Sequence, residues 1–148
     1  MTNYSSSIDP IIFKKYNDLE THIINEIGYK PSNFAGINYN KDMKTTVLRS
    51  VDNIEYYKDD LSDIIKPKYT LFGYNGDQNE NGKYNKSLLN DAEHIYLYRV
   101  SPINTKNTRM KKYLWYGKYE IEEINKINNY PGKDMVLRTI IVLTLKRL

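Results

Sequence analysis

The chain has 148 residues, no cysteine and a formal net charge of +4, with 40% hydrophobic and 27% charged residues. That length suits one domain with its own core, and the missing cysteines exclude disulfides and thiolate metal sites. No apolar run approaches the roughly 18–20 residues that span a bilayer, so no membrane partner is expected.

The start, Met1-Thr-Asn-Tyr-Ser-Ser-Ser7, has neither a basic nor an apolar stretch. No signal peptide is expected, and the composition fits an intracellular protein. The basic balance is compatible with a polyanion partner. Tyrosine is abundant at 15 residues, but it rises together with Asn, Ile and Lys, as an AT-rich genome would produce. Only the placement of the tyrosines can carry meaning.

In chain order, Asp9-Pro10 offers a cap and a first-turn proline. Ile12, Tyr16, Leu19, Ile23 and Ile27 then recur at helical spacing, which predicts a helix over about 10–27 ending at Gly28. Beyond Tyr29 the texture becomes short β-like runs: strands are expected at Thr45–Arg49 and Lys68–Phe72. Gly73–Gly82 reads as a polar loop and Asn85–Asp91 as a short helix. His94–Val100 alternates in the manner of a strand. Ser101–Lys112 reads as a basic loop carrying Lys106, Arg109, Lys111 and Lys112. Tyr113–Ile124 and Val136–Lys146 read as long strands joined through Pro131-Gly132. One helix followed by five or more strands predicts a single α+β domain on a strongly bent sheet or barrel.

Catalytic patterns are hard to find. His22 and His94 belong to no metal-binding spacing, and neither a nucleophile elbow nor a phosphate-binding glycine loop occurs. Glu120, Glu122 and Lys126 could be assembled into a nuclease-like set, but a strand with one solvated face explains them more simply. No catalytic residue, metal or cofactor is expected.

Three stretches do form a pattern. They are Gly28-Tyr-Lys-Pro-Ser-Asn-Phe-Ala-Gly-Ile37; Tyr57-Lys-Asp-Asp60 with Tyr69-Thr70 following; and Asp77-Gln78 with Asn85-Lys-Ser-Leu88. In order and spacing they resemble the SRA-YDG (SET- and RING-associated) family, over roughly residues 28–147, in a short form like the readers attached to modification-dependent restriction nucleases. The motif that names the family falls at Trp115-Tyr116-Gly117, where its aspartate is absent. The stretch Leu71–Gly76 is too short for the long loop with which mammalian members hold the orphan base, and Ile54-Glu55-Tyr56 replaces their glycine-rich approach to the pocket.

The resemblance implies a PUA-like bent β-barrel that binds double-stranded DNA and extrudes a modified cytosine, 5-methyl or 5-hydroxymethyl. It implies Tyr57 and Tyr69 as the two walls that stack on the base. Asp60 would accept from the cytosine N4 amino group, and Thr70 would donate to O2. Asp77, Gln78 and Asn85 would shape the barrel. Backbone phosphates would be met by Lys66, Lys68, Lys106, Arg109, Lys111 and Lys112. The plainer alternative is that the two tyrosines pack at strand edges and Asp59-Asp60 occupies a turn. Two other functions stay open: a modification-dependent restriction endonuclease or its specificity subunit, with a nuclease partner chain supplying cleavage, and an RNA-modification reader.

Overall fold

A computed structural model describes residues 9–31, 36–103 and 110–148. Its first element departs from the expected helix. Ile11–Phe13 forms a strand, β1, paired antiparallel with Tyr113–Trp115, and helix α1 runs only over Tyr16–Ile27. Two β-branched residues and a phenylalanine suit a sheet edge, and Pro10 can precede a strand because no ladder N–H is needed there. Ile12 therefore leaves the helical stripe and is exposed. The remainder of the stripe holds: Leu19, Ile23 and Ile27 are buried, and Gly28 closes the helix with a positive φ of 88° and its N–H on the Ile24 carbonyl.

The other strands are β2 (Ile37–Asn40), β3 (Thr45–Val51), β4 (Lys68–Thr70), β5 (His94–Pro102), β6 (Lys111–Pro131) and β7 (Leu137–Arg147). Their order in the sheet is β2-β3-β5-β6-β7-β4, with β1 beside β6. β3 and β5 are parallel; the remaining pairs are antiparallel. The 21-residue β6 shifts register three times, once against β5 and twice against β7, and such bulges bend and twist a strand. α1 covers one face through a cluster with Val47, Tyr98, Val100 and Trp115. The other face closes over Leu48, Leu71, Leu97, Ile141, Leu143 and Leu145. The result is an α+β, PUA-like barrel, left open and curled until its two edge strands approach each other.

Several boundaries moved. β2 was not expected: Ile37-Asn-Tyr-Asn40 alternates apolar and polar residues, but over only four positions, two of them asparagines, which strands disfavour. The short helix begins earlier, as α2 (Lys83–Lys86), and continues as a π-helical turn over Ser87–Asp91. The expected basic loop is shorter at both ends, because Ser101 and Pro102 pair with Lys112 and Lys111.

The Asp-Gln…Asn motif is architectural. Gln78 Nε2 donates to the carbonyls of Leu71 (2.7 Å) and Gly73 (3.0 Å), and its Oε1 accepts from the Ile141 N–H at 2.8 Å. Asp77 accepts from the Thr139 N–H, and buried Asn85 exchanges hydrogen bonds with both backbone groups of Phe72. An irregular loop beside a core must satisfy its backbone somewhere, and these side chains do so while tying the segment after β4 to β7. Among the described residues no helix is long and apolar enough to cross a membrane.

Candidate functional site

The two sheet edges are joined, among the described residues, by a hydrogen bond from Tyr69 to Gly36. Tyr69 of β4, only 4% exposed, donates its hydroxyl to the Gly36 carbonyl just before β2 at 2.9 Å. Gly36 is suited to this closeness, since a Cβ there would stand 3.2 Å from the Tyr69 oxygen. Beside this seam lies a cavity of about 210 Å³, lined among others by Tyr56, Tyr57, Asp59, Tyr69, Thr70 and Phe72. It is smaller than the roughly 300–1,000 Å³ that drug-sized ligands occupy, and its scale suits one flat ring.

Asp59 is the carboxylate in that cavity. Its Oδ2 accepts from Ser50 Oγ at 2.6 Å and its Oδ1 from the Thr70 N–H at 2.7 Å. Burial pushes its carboxyl above the usual range despite those bonds. Thr70 is engaged twice, since its Oγ1 also accepts from the Lys58 N–H at 2.8 Å. Burial likewise raises the phenol pKa values of Tyr57 and Tyr69, which keeps both rings neutral. The wall is held from behind. Buried Arg138 donates through Nη2 to the Tyr56 carbonyl at 2.6 Å and through Nη1 to the Gly73 carbonyl, while the Tyr130 hydroxyl donates to the Glu55 carbonyl at 3.0 Å.

Asp60 sits elsewhere. Its backbone forms a bridge with Lys68, and its side chain accepts from the N–H and hydroxyl of Ser62, bonds that hold its pKa below the usual value. It lines a second, more polar hollow of about 370 Å³ together with Asp52, Arg99 and Tyr130. Tyr57 and Asp59 border both spaces. Within the second hollow Arg99 grips Asp52 with two bonds of 2.7 and 2.8 Å, and Ser101 adds a third to Asp52.

Of the sequence-predicted pocket residues, the structure therefore brings Tyr57, Tyr69 and Thr70 around one cavity and places Asp60 around the corner. Asp59, Arg49, Tyr56 and Phe72 line the cavity without having been singled out as pocket residues; Asp59, Tyr56 and Phe72 lie within two residues of Tyr57 or Thr70, whereas Arg49, on β3, carries no such signal. Among the predicted basic contacts, Lys66 pairs with Glu122 at 3.2 Å, Lys68 is exposed at the start of β4, and Lys111 and Lys112 open β6. Lys106 and Arg109 lie outside the described residues. Tyr116 of the naming motif points inward, its hydroxyl on the Leu61 carbonyl at 2.8 Å. Among the described residues no group of three His, Asp or Glu could hold a metal ion.

This barrel, with its cavity at the seam, has the fold of an SRA-like domain. KRYPTONITE in complex with mCHG DNA and SAH is similar with a TM-score of 0.63 at 18% identity, over 95% of this chain and 32% of that one. The sulfur-binding and SRA domains of ScoMcrA complexed with phosphorothioated DNA give 0.60 at 18% identity, covering 95% and 39%. The MspJI restriction endonuclease in complex with a 27-mer oligonucleotide gives 0.63 at 15% identity, covering 80% and 34%. The chain thus spans about a third of the length of those proteins, and at these identities the shared property is the fold. No family model matches the chain, and no curated protein matches it in sequence.

Proposed function

We propose that the chain reads modified cytosine, 5-methyl or 5-hydroxymethyl, in double-stranded DNA by receiving the extruded base in the cavity beside the Tyr69–Gly36 seam. The observation that carries this reading is one desolvated carboxylate, Asp59, set among aromatic rings in a space scaled to a single base. An extruded base forfeits a few kcal/mol of stacking and pairing. Aromatic contacts return about 1–3 kcal/mol per stacked base, and Tyr57 and Tyr69 are the rings assigned to that task. A carboxylate accepts from the N4 amino group of cytosine, whereas thymine presents a carbonyl there and is repelled. We assign the acceptor role to Asp59 rather than Asp60, because only Asp59 shares the cavity with both tyrosines. Thr70 then acts by fixing that carboxylate, since its N–H is already on Asp59. Val51, Ile54 and Leu71 provide apolar wall against which a 5-methyl group can be buried.

The DNA in the complexes of KRYPTONITE and ScoMcrA supports a DNA partner. A partner chain bearing a nuclease is the natural extension, given that similar folds occur within restriction endonucleases. The test is competition between modified and plain duplexes of one sequence over a range of salt. The expected result is a preference for the modified duplex that persists as overall affinity declines with salt. Equal binding throughout would refute the reading.

A further inference from the structure

The tip of the β6–β7 hairpin presents Met135, Val136 and Leu137 to solvent, 77%, 61% and 60% exposed. Three consecutive exposed apolar residues are costly to solvate and mark a contact surface when they cluster. This tip is also rigid. The Lys133 N–H donates to the Tyr74 carbonyl at 2.7 Å and the Asp134 N–H to Asn75 Oδ1 at 2.9 Å. Across the turn, the Gly132 N–H donates to the Val136 carbonyl and the Met135 N–H to the Gly132 carbonyl, both at 3.0 Å. A Cβ on Gly132 would come within 2.9 Å of the Tyr74 carbonyl oxygen, so the turn sits directly on that loop. Met135 itself adopts a positive φ of 68°, a conformation that carries strain for a side chain of this kind.

The loop beneath the tip, at Tyr74 and Asn75, follows closely on Phe72, which lines the cavity. Lys133 Nζ lies 5.3 Å from the Tyr74 ring centroid and 6.0 Å from that of Tyr56, a cavity wall. Arg138, the second residue of β7, fastens the Tyr56 and Gly73 carbonyls. Wall and tip are therefore one rigid unit, with a cation between them. Apolar wedges that enter duplexes separate base steps and are flanked by basic side chains, and a preformed wedge loses little entropy on insertion.

We infer that the Met135–Leu137 tip is the element that enters the duplex beside the extruded base and covers the stack exposed there, with Lys133 set against the adjoining phosphate. This rests on the cavity reading above. The test uses the full chain and the double variant Met135→Asn, Val136→Ser, in which asparagine tolerates the positive φ. Affinities are measured for a duplex and for a single strand carrying the same 5-methylcytosine. A single strand has no opposing stack to cover. The expected result is a loss of about tenfold or more on the duplex and less than about twofold on the single strand. Unchanged duplex binding, or equal losses on both, would overturn the inference, as would a wild-type chain that self-associates through the tip while the variant does not. If the wild type showed no preference for the modified base, the cavity reading would fall first and the wedge with it.

Discussion

The two hollows that meet at Tyr57 and Asp59 differ in the rest of their lining. The inner one, about 210 Å³, is walled by aromatic rings around one desolvated carboxylate; the outer one, about 370 Å³, is open and lined by Asp52, Asp60 and Arg99. Asp59 is held by Ser50 and Thr70 and its pKa is raised by burial; Asp60 is solvated, capped by Ser62, and its pKa is lowered. A hydrogen bond to a carboxylate gains strength where water is excluded. On the proposed reading, the same functional group one residue apart discriminates a base on one side and merely closes a turn on the other.

The sharpest way to break this contrast is to neutralise each carboxylate in turn. Asp59→Asn can keep the Thr70 and Ser50 bonds but turns an amide towards the base. Its affinity for the modified duplex should drop about 10–100-fold, the value of a hydrogen bond to a charged group. Asp60→Asn should stay within about twofold. Equal losses in a binding titration would merge the two hollows into one site.

The tyrosines give a smaller contrast between cavity wall and seam. Tyr57→Ala removes a stacking face and should weaken modified-duplex binding by about 1–3 kcal/mol. Tyr69→Phe keeps its ring but loses the bond to Gly36. It should cost about 1 kcal/mol in denaturant unfolding while retaining base preference; lost preference with normal stability would give the Tyr69 hydroxyl a direct role.

The smallest effect is in the pH dependence of stability. Asp59 keeps its proton in the folded state at pH values where the unfolded chain has released it. It therefore makes stability fall as pH rises from the ordinary carboxylate range through its own raised pKa. Asp60 has a lowered pKa and does the reverse: its contribution is present above the ordinary value and fades as pH falls through the folded one. Thermal unfolding of Asp59→Asn and Asp60→Asn from about pH 3 to 7 should show slopes altered in opposite directions. Parallel curves would mean that the two carboxylates do not differ in environment.

Much of the architecture was readable from residue spacing. The Leu19-Ile23-Ile27 stripe, the Gly28 stop and the long strands around Pro131-Gly132 follow directly from periodicity and turn chemistry. Other features depend on contacts distant in sequence. Ile11–Phe13 becomes a strand because Tyr113–Trp115, far along the chain, offers an edge. That Asp59 rather than Asp60 lines the inner cavity follows from the Asp60–Lys68 backbone bridge, which sets which carboxylate turns inward. Side chains alternate along extended chain, so a single residue of register decides the face, and short local motifs do not record register. The wedge-like tip was hidden for a similar reason: Pro131-Gly132 announces a turn but not what it rests on.

The central claim is that a base leaves the duplex to enter the Asp59 cavity. Extrusion costs least where pairing is already weak. The most direct measurement compares affinity for 5-methylcytosine opposite guanine with affinity for the same base in a mismatch, in otherwise identical duplexes. Extrusion predicts tighter binding to the mismatched duplex, with the gain confined to the modified base. Equal affinity for the paired and mismatched base would contradict it.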